Sequence, residues 1–207
     1  MPSAMNLGSF PSSSASRRAA SVGIVGGGPA GMRAAVELAG DGHRVTLFEE
    51  TGELGGQLLR AQRVPGRESI GLLVADLRRD VAAAGVEVRT RTAMTPSVLD
   101  ALLAAEPVDG LVLATGAVAP VRTSLELGGA YVGGFPASGT VDAFTALDDP
   151  SRLGRRIAVV DADGTAYASG VVLSLLEHVD ELELVTPFET VFPHVGPGYD
   201  RPLLLER

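Results

Sequence analysis

The chain contains no cysteine, and a search of its 207 residues for lysine also finds none, so all 17 of its basic residues are arginine. The missing thiols exclude cysteine nucleophiles, Cys-x-x-Cys redox pairs, disulfides and cysteine-ligated iron–sulfur or zinc sites. The missing amines exclude a Schiff base, a P-loop lysine and a kinase lysine. Any redox chemistry in this chain must therefore run on an organic cofactor. Basic charge is also scarce: 25 acidic residues stand against the 17 arginines and leave a net charge of −8, which argues against a nucleic-acid partner. A run of about eighteen uninterrupted apolar residues, the length that spans a bilayer, does not occur, so no membrane partner is expected.

What is present suits a globular protein. Apolar residues make up 45% and charged residues 20%, and the length fits one large domain or two small ones. Residues 1–20 hold six serines and two prolines but no secretory apolar core, and read as a disordered leader. Arg17-Arg18 precedes a stretch too rich in glycine for a twin-arginine signal, so a cytoplasmic location is the expectation.

From Ser21 the pattern turns specific. Val22-Gly23-Ile24-Val25 reads as a buried parallel strand, and Gly26, Gly28 and Gly31 then supply G-x-G-x-x-G. Met32 to Ala39 has the spacing of a helix, closed by Gly40-Asp41-Gly42. A second strand, Arg44 to Phe48, ends at Glu49, eighteen positions after Gly31. In such a unit the first glycine allows a tight turn, the second lets the backbone approach a pyrophosphate, and the third lets helix and strand pack closely. The helix N-terminus aims unpaired N–H groups at the phosphates, and the acid accepts hydrogen bonds from ribose hydroxyls. A nucleotide site is the expectation, and a 2′-phosphate would be repelled by Glu49.

Further along, Glu53-Leu54-Gly55-Gly56-Gln57-Leu58 is a second glycine turn, and Val64 to Glu68 a third turn. A helix is expected from Ile70 to Ala84 with Ile70, Leu73, Val74, Leu77 and Val81 on one face. Val86-Glu87-Val88 reads as a strand, and Asp109 to Gly116 as a buried strand ending in Ala-Thr-Gly.

The set VGIVGGGPAGMRAA, HRVTLFEE, ELGGQL, VPGRE and LVLATGAVAP resembles the C-terminal nucleotide-binding region of the 2,4-dienoyl-CoA reductase and trimethylamine dehydrogenase (NADH:flavin oxidoreductase) family, nearer the trimethylamine dehydrogenase branch. The resemblance implies an α/β fold, with a doubly wound Rossmann-like dinucleotide-binding domain over residues 21–120 and a smaller, degenerate βα domain over 121–207. It implies FAD, or alternatively ADP, as the cofactor. The implied cofactor-binding residues are Gly26, Gly28, Pro29, Ala30, Gly31, Glu49, Glu50, Gly56, Gln57, Thr115 and Gly116. No catalytic residue and no metal ligand is assigned.

The family's full-length members are similar in carrying an FMN-binding TIM barrel with a cysteine-ligated cluster, which this chain lacks. The second dinucleotide turn should follow the strand Arg156 to Val160, but Asp161 to Gly170 has no glycine spacing, and Asp161 and Asp163 are expected to face the place of a pyrophosphate. A segment that in the family covers the flavin end with a Gly-Asp pair is not found before Arg207. The leading expectation is thus an FAD- or ADP-binding subunit of a hetero-oligomeric flavin-dependent oxidoreductase, partnered by an FMN-binding barrel subunit that carries the substrate. The alternatives are a stand-alone NAD(P)H-dependent flavoprotein reductase and a non-catalytic, ADP-holding scaffold.

Other candidates have plainer readings. His43, His178 and His194 share no ligand spacing, Asp148-Asp149 and Asp161/Asp163 suit loop or cap positions, and Val171, Val172, Leu173, Leu175 and Leu176 make a core helix face.

Overall fold

The computed structural model describes residues 18–117, 124–127, 130–133, 139–162 and 164–195. The expected leader up to residue 17, Asp163 and the tail beyond Val195 lie outside the described residues.

The first half of the chain alternates strand and helix: β1 (Ser21–Val25), α1 (Pro29–Gly40), β2 (Arg44–Phe48), α2 (Leu58–Ala61), α3 (Ile70–Ala83), β3 (Glu87–Arg89), α4 (Pro96–Ala105) and β4 (Gly110–Leu113). The four strands form one parallel sheet in the order β3-β2-β1-β4. Parallel neighbours need crossovers, and the helical period between the strand runs supplies them. Ile24 pairs with Leu47 on one side and Val112 on the other, so alternate residues Val22, Ile24, Val45 and Leu47 face one layer. There they pack on Met32 and Ala35 of α1 and on Leu77 and Val81 of α3. Ile24, Met32, Ala35 and Leu47 are fully excluded from solvent, each large one contributing about 1.5–3 kcal/mol of transfer free energy.

Three features differ from the sequence reading. Leu73 is half exposed, while Val74, Leu77 and Val81 are buried. At roughly 100° per residue, Leu73 sits at the border of a stripe centred on Val74 and Val81. The strand ending in Ala-Thr-Gly is also shorter than expected, with its ladder stopping at Leu113 and Gly116 turning the chain at φ +71. α4 was not anticipated, although its start signal is present in the sequence. Thr95 accepts a hydrogen bond from the Val98 amide, and Pro96 occupies the first turn, where its missing N–H costs nothing.

Beyond β4 lie an antiparallel hairpin of β5 (Ser124–Leu127) and β6 (Ala130–Gly133), then α5 (Ala143–Asp148), a short 3-10 turn, β7 (Arg156–Val160), α6 (Ala166–Leu176) and β8 (Glu181–Val185). β7 and β8 pair in parallel around α6, a single βαβ unit. Val171, Val172 and Leu175 of α6 are buried, as the expected core face requires, with Leu173 and Leu176 half-buried beside them. The α/β reading, with a Rossmann-like sheet and a smaller βα layer, holds.

Candidate nucleotide-binding site

The strand order places the C-terminal ends of β1, β2 and β4 side by side, and every residue expected to touch the cofactor lies on the loops leaving those ends or in the first turn of α1. Sheet order reverses between β1 and β4, which is where open α/β sheets bind ligands.

The glycines of the first turn divide by role. Gly26 has φ +109, and a Cβ there would sit 2.3 Å from the Ala114 carbonyl oxygen. A Cβ on Gly31 would lie 1.8 Å from the Gly26 carbonyl oxygen, so that residue lets α1 close on the turn. Gly28 is different: the nearest atom to an added Cβ is Gly56 Cα at 4.0 Å. The backbone at Gly28 thus faces open space, which is what a turn built to receive a pyrophosphate requires. Gly28 caps α1 without any side-chain hydrogen bond, Pro29 and Ala30 are exposed, and the first turn carries no acid. The positive end of the helix dipole is therefore left for a ligand rather than neutralised by the protein.

Glu49 is 8% exposed at the end of β2. Its Oε2 accepts the Gly27 amide at 2.7 Å, and its Oε1 accepts the Thr51 amide and the Thr51 hydroxyl, both at 2.8 Å. A carboxylate offers about four acceptor positions, so one remains beside the turn for a ribose hydroxyl. Glu50 is exposed next to it. Gly27 and Thr51 were not singled out from the sequence. Gly27 is an unspecified position of the motif, and Thr51 carries no periodic or motif signal.

The second glycine turn packs directly on the first. The Gly55 amide donates to the Gly27 carbonyl at 2.8 Å, and a Cβ on Gly56 (φ +54) would come within 3.0 Å of Gly28 Cα. Arg78 of α3 holds this loop by donating to the Leu54 carbonyl and pairing with Glu53. Gln57 donates through Nε2 to the Ala117 carbonyl at 2.6 Å, tying the loop to the Thr115-Gly116 end of β4, where both residues are exposed. All eleven residues thus lie on the loops and the helix start beyond the C-terminal ends of β1, β2 and β4. Just beyond them, Arg60 stacks over Phe144 and pairs with Asp148, whose hydrogen bond holds the guanidinium more basic than usual against the opposing effect of burial.

At the second turn the geometry departs from expectation. Asp161 does not face a ligand; it is buried, and its Oδ1 accepts the Gly164 amide at 2.9 Å. Gly164 has φ +63, and a Cβ there would meet Pro193 at 2.7 Å and Phe188 at 2.9 Å. The His194 amide donates to the Gly164 carbonyl at 2.9 Å. The segment 188–195 therefore lies against this turn, filling space near the start of α6. His43 accepts the Ala20 amide through Nδ1, and Asp148 is engaged by Arg60 and Arg63. Among the described residues no acidic or histidine cluster is arranged to hold a metal, and no helix is long and apolar enough to cross a membrane.

Residues 24–78, which run from β1 through the glycine turn and the acid into α3, match the NAD(P)-binding Rossmann-like domain family. The parallel sheet and the motif together make this part of the chain a Rossmann-like α/β domain. Over 93 residues it is 43% identical to the NADH oxidase of Thermoanaerobacter brockii, a match covering 45% of this chain and 14% of that protein. Over 49 residues it is 55% identical to the hydrogen cyanide synthase subunit HcnB of Pseudomonas protegens, covering 24% of this chain and 10% of that one. In structure it superposes on the 6-hydroxypseudooxynicotine amine oxidase of Pseudomonas geniculata with a TM-score of 0.66 and 27% identity, over 84% of this chain and 26% of that one. The chain thus spans about a quarter or less of the length of these relatives. The resemblance read from the motifs, to the nucleotide-binding region of the trimethylamine dehydrogenase-like family, is borne out, and the Rossmann-like domain is its best-matched part.

Proposed function

We propose that the chain is the adenine-dinucleotide-binding component of a flavin-dependent oxidoreductase, holding FAD, or ADP in its place, at the crevice between β1, β2 and β4. The observation that carries this reading is the pairing of an open Gly28 with a buried Glu49 whose carboxylate is already aimed by Gly27 and Thr51. The residues fit the group: Gly28 leaves the room a pyrophosphate needs, α1 offers an uncapped N-terminus, and Glu49 retains an acceptor for a ribose hydroxyl. Gly56, Gln57, Thr115 and Gly116 line the side towards which the remainder of a dinucleotide would extend. When bound, FAD supplies one- and two-electron transfer. The chain's own residues bind and orient the adenosine diphosphate end.

The wider role follows from the same reading. The chain passes electrons to or from an FMN-binding barrel that carries the substrate, with residues 21–120 as the nucleotide domain and 121–207 as a domain that has lost its own nucleotide turn. A relative named as an oxidase of NADH and another named as a subunit of a synthase support an oxidoreductase built from several parts. A stand-alone NAD(P)H-dependent reductase is disfavoured by the packing of Phe188 and Pro193 against Gly164, where the second dinucleotide would need space.

The test is to denature the purified protein, identify any released nucleotide, and titrate the stripped chain with ADP and FAD. The reading expects one of these to be released or bound at micromolar concentration or tighter. No binding of either overturns it. A second arm adds an FMN-binding barrel protein encoded beside it and follows flavin reduction; transfer between the two expected flavins supports the partnership, and its absence in a formed complex refutes it.

A further inference from the structure

Arg91 is one of two non-glycine residues among those described with a left-handed backbone, at φ +54. It follows β3, the strand beside β2 on the side away from β1. Two hydrogen bonds hold the loop in this conformation: the Arg91 amide donates to the Thr51 carbonyl and the Thr92 amide to the Glu49 carbonyl, both at 2.8 Å. The side chain lies on Gly52. A Cβ there would be 3.5 Å from Nη2 and 3.7 Å from both Cζ and Nε of Arg91. Three atoms of the planar group at nearly one distance mean that the guanidinium lies flat over Gly52. No carboxylate among the described residues pairs with it, whereas Arg60, Arg78, Arg79, Arg89 and Arg155 are all engaged in salt bridges.

Sheet order converts this placement into a role. Strands in a sheet are about 4.8 Å apart, so a nucleotide lying across their ends meets them in sequence. The pyrophosphate belongs at the β1 end with Gly28, and the ribose at the β2 end with Glu49. The next strand end, at β3, is where the base must lie, and Arg91 is the residue there that offers a flat, exposed cation. A guanidinium stacks on aromatic planes, which a lysine ammonium does not do in the same way. The left-handed backbone is held by these two hydrogen bonds, so the start of the Arg91 side chain is fixed beside the Glu49 and Thr51 carbonyls.

We propose that Arg91 recognises the adenine ring, stacking its guanidinium on the base of the nucleotide whose ribose Glu49 holds. This rests on the nucleotide reading above. Glu49 disfavours a 2′-phosphate, so the arginine is assigned to the base and not to a phosphate.

The experiment compares wild type with Arg91→Gly and Arg91→Lys, using ADP, UDP and 2′-phospho-ADP as probes in calorimetric titrations, with thermal unfolding measured in parallel. Arg91→Gly relieves the left-handed strain, so its melting temperature is expected to rise while its ADP affinity falls by about tenfold. UDP, with its smaller ring, is expected to bind wild type more weakly and to lose less, so the preference for ADP narrows. Arg91→Lys is expected to behave like the glycine variant towards ADP. Unchanged ADP affinity in Arg91→Gly overturns the proposal, and so does a loss confined to 2′-phospho-ADP, which would make Arg91 a phosphate ligand. A fall in affinity that merely follows a fall in stability also overturns it. If wild type binds none of the three probes this inference is overturned, and if it also fails to bind FAD the nucleotide site itself is refuted.

Discussion

The Gly31 Cα stands against the Gly26 carbonyl so closely that a methyl group on it would come within 1.8 Å of the oxygen, whereas the same methyl on Gly28 would meet no protein atom nearer than 4.0 Å. Two glycines of one motif thus serve different ends, one for packing and one for the ligand. Gly31→Ala is expected to destabilise the fold by on the order of 3 kcal/mol, because both contacting groups are backbone and the interior is close-packed. Gly28→Val, at φ −73, is compatible with a side chain and should leave the unfolding midpoint nearly unchanged while abolishing ADP and FAD binding. Denaturation and titration of the two variants check both halves. Nucleotide retention by Gly28→Val equal to that of wild type removes the site assignment.

Glu49 is expected to act on both binding and stability. Glu49→Ala takes away a ribose acceptor and leaves the Gly27 amide without its partner in a buried place. The expected cost is about 1–3 kcal/mol in each property. Thr51→Val removes the hydroxyl donor but keeps the amide, so its effect on ADP affinity should stay below about tenfold. An ADP affinity in Glu49→Ala equal to wild type would reduce Glu49 to a structural acid.

Asp142 caps α5 and carries a pH dependence. Burial works to raise its pKa, but hydrogen bonds from the Thr145 hydroxyl and from the Thr145 and Phe144 amides outweigh it, so the carboxyl is held below its ordinary value of 3.8. A depressed folded pKa means that the stabilisation is fully present above the unfolded value and is lost as pH falls through the folded one. Asparagine is a comparable cap without the charge. The melting temperature of Asp142→Asn should therefore differ from wild type above pH 5, and the difference should shrink as pH falls below 4. A difference that stays constant with pH refutes the account.

The second turn is expected to take no pyridine nucleotide. With the first site blocked by Gly28→Val, titration with NADH or NADPH should give no binding, and micromolar binding there overturns the reading. Gly164→Ala should in addition destabilise the second βα unit by about 1–3 kcal/mol, since its Cβ meets Pro193 and Phe188 at a positive φ.

The sequence by itself determined what depends on local period and turn chemistry. The run from Val22 to Glu49 carries a strand, a glycine turn, a helix and an acid in an order that has few other folded solutions, and β7 and α6 were legible for the same reason. The likeness to the dinucleotide-binding flavoenzymes rested on those short motifs, and the comparisons agree with it. Tertiary structure decided whatever depends on groups distant along the chain. Gly27 meets Glu49 across 22 positions, and Gly55 meets Gly27 only because the second loop folds back on the first. Asp161 could be read as a surface acid facing a ligand until the fold turned its carboxylate onto the Gly164 amide and laid Phe188 and Pro193 over the same turn. Leu73 belonged to the apolar stripe by spacing, yet lies half exposed because the width of the buried face is set by what packs on α3 and not by its own period. Local pattern specifies which element forms; only the assembled sheet, by its strand order and register, specifies which side chains then meet.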